Sequence, residues 1–127
     1  FILLWGDDLH QVDYQSLVKA HLSSGDPLTM TVTTSYKYFN LEHRGGKVVR
    51  YDKRREKVSG LNGYEAGTSV VERSLLERYG KEGRWSWEEC VYTVISGSIC
   101  AYLDDAPFWD MGTPERLESL AKFLEDS

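Results

Sequence analysis

The chain has 127 residues, 41% of them hydrophobic and 13% aromatic, enough for one packed domain and too few for two. A formal net charge of −5 excludes a surface built for nucleic acid or anionic lipid, which needs clustered Lys and Arg, and no apolar run is long enough to span a bilayer. Cys90 and Cys100 are too far apart for a C-x-x-C pair and the three histidines show no metal spacing, so reduced thiols in a cytoplasmic protein are expected.

The first predicted element is the run FILLW at residues 1–5, closed by Gly6. Being apolar throughout, it predicts a central strand of a parallel sheet with Asp7 and Asp8 at its carboxyl end, where open α/β sheets place their ligands. Asp13 then caps a helix whose face is Tyr14, Leu17, Val18, His21 and Leu22, ended by Gly25 and Pro27. LTMTVTT alternates Leu28, Met30 and Val32, the pattern of a strand with one buried face. LEHRGGKVVRY predicts two short strands joined at Gly45 and Gly46, and KRREK at residues 53–57 reads as a solvated loop. GTSVVERSLLERYG predicts a strand running into a helix that stops at Gly80. Ser86 and Glu89 form a capping box ahead of an apolar face of Cys90, Val91, Val94 and Ile95. ICAYLDD is a further strand, and Thr113 and Pro114 open a last helix with a stripe of Leu117, Leu120, Ala121 and Leu124. Strands and helices alternate, so the fold class is α/β, a single layered sheet with flanking helices.

Asp7 ends one strand and Asp110 lies between a strand and a helix start, so the two can meet at one edge of the sheet. Paired carboxylates there suit Mg²⁺, which takes one or two protein carboxylates and completes its octahedron with water and phosphate oxygens. The helix opening at Thr113 adds free N–H groups for an anion. The plainer alternative leaves Asp110 as a turn residue before a good cap and Asp7 as a polar strand end. Asp8 is the weaker ligand candidate, because neighbours on a strand point to opposite faces.

Taken together, LLWGDDL, GGKVVRYDKR, YEAGTSVVERSLL, WSWEE and WDMGTPERLESLAKFL resemble, in order and spacing, the second half of a sugar-phosphate nucleotidyltransferase. The resemblance implies a Rossmann-like mixed sheet of the glycosyltransferase-A type and a reaction joining a sugar 1-phosphate to a nucleoside triphosphate, with release of pyrophosphate. It implies that Asp7 and Asp110 hold a catalytic Mg²⁺, that Lys53 contacts the sugar phosphate, and that Asp52 faces sugar hydroxyls. Glu65 and Gly67 stand where the family has Asn-Ala-Gly beside the sugar, with Gly67 letting backbone approach the ligand. Arg54 replaces the proline that follows the family lysine, and Phe39-Asn40 replaces a Gly-Asn. Glu88 and Glu89 match the family's acidic helix start and are given no catalytic role.

The family's Gly-rich nucleotide loop has no counterpart in these 127 residues. The expectation is therefore a partial domain over residues 1–127, the sugar-phosphate and metal-binding half, inactive alone. A homo-oligomer, or a partner supplying the other half, would cover the open sheet edge. Two other classes remain: a nucleotide-sugar-dependent glycosyltransferase, although its Asp-x-Asp is absent, and a non-catalytic partner subunit of a nucleotidyltransferase.

Overall fold

The computed structural model describes residues 1–126. In chain order the elements are β1 (Ile2–Leu4), β2 (Asp8–His10), α1 (Tyr14–Ser24), β3 (Leu28–Thr33), β4 (Leu41–Arg44), β5 (Lys47–Tyr51), β6 (Tyr64–Val71) and α2 (Arg73–Tyr79). A π-helical turn over Glu88–Tyr92 leads into α3 (Thr93–Ile95), then β7 (Ile99–Leu103), β8 (Phe108–Asp110) and α4 (Pro114–Glu125). Six strands form one mixed sheet in the order β1-β6-β3-β7-β5-β4, and β2 pairs with β8 in a separate ribbon. Within the sheet only β3 and β7 run parallel; the other pairings are antiparallel.

Local signals hold where the chemistry is local. The Asp13 carboxylate accepts from the backbone N–H groups of Gln15 and Ser16, and Gly25 ends α1 in the left-handed region at φ 73°. Thr113 Oγ1 accepts from Arg116 N, with Pro114 in the first turn of α4. Gly45 and Gly46, both at positive φ, turn β4 into β5. Ser86 Oγ accepts from Glu89 N, but the Glu89 carboxylate binds Arg54 instead of completing the capping box.

Four expectations about burial are corrected. β1 is an edge strand antiparallel to β6, with Ile2 and Leu4 exposed and Leu3 packed against the core, not the buried centre of a parallel sheet. Apolar composition fixes a strand's affinity for a core but not its neighbours. β3 is instead the fully buried centre: Leu28, Met30 and Val32 face a core shared with Val71, Val91, Tyr92 and Ile99, while Thr29, Thr31 and Thr33 face the other side. Threonine tolerates that burial because its hydroxyl finds partners, as Thr31 Oγ1 donates to Thr68 O and Thr29 Oγ1 meets His21 Nδ1. The stripe of α4 is only partly used, since Leu120 is buried and Phe123 packs on Trp109 while Leu117, Ala121 and Leu124 are exposed. On α1, Leu17 and His21 are buried but Tyr14 and Leu22 are not.

Cys90 and Cys100 are free thiols. No helix among the described residues is long and apolar enough to cross a membrane.

Candidate functional site

The β2–β8 ribbon sets the site. Its register places Asp8 opposite Asp110, and Met111 N donates to Asp7 O, which ties the Asp7 turn to the end of β8. Asp7, Asp8 and Asp110 each offer a carboxylate oxygen, and these oxygens all lie within 4.8 Å of one another. The alternation argument against Asp8 fails because Asp7 sits in a turn rather than in a strand. Asp8 therefore joins the pair that spacing had suggested.

A cleft of about 360 Å³ opens beside this cluster. Its walls bring together Asp7, Asp8, Asp110, Lys53 and Glu65, from segments spread across the chain, with Trp5, Tyr64 and Glu88 among them. Burial, reinforced by the charges of Asp7, Glu65 and Asp110, pushes the Asp8 carboxyl up to about 7. Crowded carboxylates of this kind form the hard oxygen set that a divalent cation such as Mg²⁺ prefers. The donor set thus fits the ion that the sequence suggested.

Asp110 is held from two sides. Its Oδ1 accepts from Gly112 N at 2.6 Å and its Oδ2 from Arg116 Nη1 at 2.7 Å. Arg116 lies in the first turn of α4, so the helix start positions this carboxylate through a side chain.

Glu65 is buried, and burial raises its carboxyl above the ordinary range against three donors that lower it. Those donors are Trp5 Nε1 at 2.7 Å, Gly67 N at 3.0 Å and Tyr92 O–H at 3.2 Å. Asn40 Oδ1 accepts from Glu65 N, so Asn40 braces the wall of the cleft. Gly67, at φ 82°, is approached by the Asp8 side chain, and its conformational freedom serves that contact.

Lys53 leaves the charged run and enters the cleft, where its ammonium pairs with Glu88. The rest of the run is anchored as well: Arg54 binds Glu89, and Arg55, at φ 53°, donates from Nε to Phe39 O. Asp52 turns the other way. Its carboxylate accepts from Glu56 N at 3.0 Å and Lys57 N at 2.9 Å, shaping the loop that presents Lys53, and it does not line the cleft. These backbone donors and Arg50 hold the Asp52 carboxyl below its ordinary value.

Sequence reasoning missed Asp8, Glu88, Trp5 and Tyr64 as site residues. Asp8 was legible as half of an acidic pair; the other three carry no local signal, since what brings them in is pairing across the sheet and helix packing.

No family model matches the sequence, and no curated protein matches it. Solved structures do share the fold. HddC from Yersinia pseudotuberculosis is 22% identical, with a TM-score of 0.77 over 98% of this chain and 55% of its own. A putative glucose-1-phosphate thymidylyltransferase from Bacillus anthracis is 9% identical, with a TM-score of 0.74 over 99% of this chain and 55% of its own. A UTP-bound UGPase from Acinetobacter baumannii is 12% identical, with a TM-score of 0.72 over 97% of this chain and 50% of its own. The fold is therefore that of sugar-phosphate nucleotidyltransferases, and the chain spans about half the length of these structures.

Proposed function

We propose that these residues form the sugar-phosphate and metal end of a sugar-1-phosphate nucleotidyltransferase acting in the cytoplasm, with Asp7, Asp8 and Asp110 holding Mg²⁺ and Lys53 binding the sugar phosphate. The observation that carries this reading is the convergence, in one cleft of that fold, of three carboxylates, a lysine and a buried glutamate. In the reaction a sugar phosphate oxygen attacks the α-phosphorus of a nucleoside triphosphate. A new P–O bond forms, the bond to the β-phosphate breaks, and pyrophosphate leaves with its electron pair.

The protein's share is positioning and charge. Lys53, held by Glu88, presents its ammonium to the phosphate and exchanges one anionic partner for another as substrate enters. Arg116 and Gly112 N fix Asp110, and the Gly67 backbone fixes the place of Asp8. Glu65 accepts from a sugar hydroxyl with its one remaining lone pair, on Oε2. Mg²⁺, when bound, supplies neutralisation of the phosphate charge. In this reading the nucleotide is held largely by residues outside the 127, in keeping with neighbours about twice as long.

The test is calorimetric titration of the chain with glucose 1-phosphate, with and without Mg²⁺, beside a pyrophosphate-release assay with each nucleoside triphosphate. Mg²⁺-dependent binding without turnover is the expected result. Absence of binding at millimolar sugar phosphate would overturn the assignment, and turnover by the chain alone would overturn its being one half of the site.

A further inference from the structure

The cleft has an aromatic wall that the phosphate chemistry does not use. Tyr64 lines it, and Tyr36 lies flat against one face of Tyr64, with ring centroids 4.3 Å apart and planes 9° from parallel. Tyr36 itself does not line the cleft but a second depression that shares Asp110 with it. Tyr38 abuts Tyr64 at 5.4 Å and 87°, and the Arg55 guanidinium caps Tyr38 at 5.1 Å. A ring braced on so many sides keeps one orientation, so it can stack on a ligand at little entropic cost.

The second feature is charge. Among the described residues that line the cleft, Lys53 is the single cation, and Glu88 already partners it. Besides the three aspartates the cleft carries Glu65 and Glu88. A pyranose has one face of C–H groups that suits an aromatic ring and a rim of hydroxyls that suits carboxylates and amides. A carboxylate on the sugar would instead meet like charge in a partly desolvated site.

We propose that Tyr64, which lines the cleft and is backed by Tyr36, is the stacking platform for the sugar ring, and that Glu65 and Glu88 in the same cleft restrict it to neutral or amino-sugar 1-phosphates. Sugars bearing a carboxylate are turned away. This rests on the reading of the cleft as a sugar-phosphate site and names the class of sugar it takes.

Binding of four probes in Mg²⁺ separates the two levels: inorganic phosphate, glucose 1-phosphate, glucosamine 1-phosphate and glucuronic acid 1-phosphate. The neutral and amino sugars should bind at least about tenfold more tightly than the uronic acid. Tyr64→Leu should weaken both by about tenfold and leave inorganic phosphate unchanged, while Tyr64→Phe retains affinity. Saturation-transfer NMR on the unmutated chain reads the same contact without a variant: the ring C–H protons of glucose 1-phosphate should receive magnetisation from tyrosine. Equal affinity for the uronic acid, or no transfer from tyrosine to bound sugar, overturns the proposal while phosphate binding upholds the site. If inorganic phosphate and all three sugars fail to bind, the site assignment itself falls.

Discussion

Gly67 and Asp8 are packed so closely that a Cβ on Gly67 would stand 2.6 Å from Asp8 Oδ2 and 3.1 Å from Asp8 Cβ. The glycine also has φ 82°, where other residues are strained. One acid of the cluster thus owes its position to the absence of a side chain 59 positions away.

Gly67→Ala is expected to destabilise the chain by about 2–4 kcal/mol, from backbone strain and the clash together. Combining it with Asp8→Ala removes the clash and leaves the strain, so the double variant should lose less than the sum of the single ones. Urea denaturation of the four proteins measures the coupling, and strict additivity would show that the contact is not made.

Asp7→Asn, Asp8→Asn and Asp110→Asn should each weaken the stabilisation that Mg²⁺ confers, read as the concentration-dependent rise in melting temperature. Asp8→Asn has an opposite effect when no cation is bound. At pH 8 the native Asp8 is a carboxylate that burial and three neighbouring acids disfavour. Its neutral replacement should make the metal-free chain more stable by on the order of 1 kcal/mol, after discounting for solvent screening. A loss of stability in both conditions would place Asp8 outside any cation site.

Lys53 and Asp52 are neighbours with separable roles. Lys53→Met is expected to weaken phosphate binding by about tenfold, while the fold survives because Lys53 is half-exposed. Asp52→Ala releases Glu56 N and Lys57 N and should lower stability by about 1 kcal/mol. Calorimetry with inorganic phosphate and thermal melts on both variants distinguish a ligand contact from a loop brace. Equal loss of phosphate affinity and of stability in both would merge the roles.

Asp105 supplies a pH dependence away from the site. Its carboxylate accepts from Thr34 N at 2.7 Å and from the hydroxyls of Thr33 and Thr34, tying the end of β3 to the loop after β7. These bonds, Thr34 N first, hold its carboxyl below the ordinary value. A lowered carboxyl stabilises the fold above the unfolded value of about 3.9 and loses that contribution as pH falls through the folded one. Asp105→Asn should therefore melt below the unmutated chain at pH 7, with the gap closing toward pH 3. A gap constant with pH would assign its effect to packing instead of charge.

Much of the candidate site was legible as residue types and little of it as geometry. Asp7, Asp110, Lys53 and Glu65 were named from the sequence, and the structure brings all four to one cleft. Asp52 was legible as an acid beside a lysine, but nothing local says which way a side chain points in a loop whose backbone donors lie four and five residues on. Glu88 was explained away as a helix start, because its partner Lys53 lies 35 residues earlier and the packing of the π-helical turn joins them.

The sequence by itself determined the features whose partners lie within a few residues: the caps at Asp13 and Thr113, the stop at Gly25 and the turn at Gly45-Gly46. It also determined that strands and helices share one chain, the mixed α/β composition of the fold. Tertiary structure alone decided that β1 is an antiparallel edge, that β3 is buried on both faces, and that β2 meets β8 so that Asp8 stands opposite Asp110. The reason is physical: a cap or turn is settled by one or two hydrogen bonds and a single backbone angle. Strand partnership is settled by which of several apolar edges buries the most surface, and that competition involves the whole chain at once.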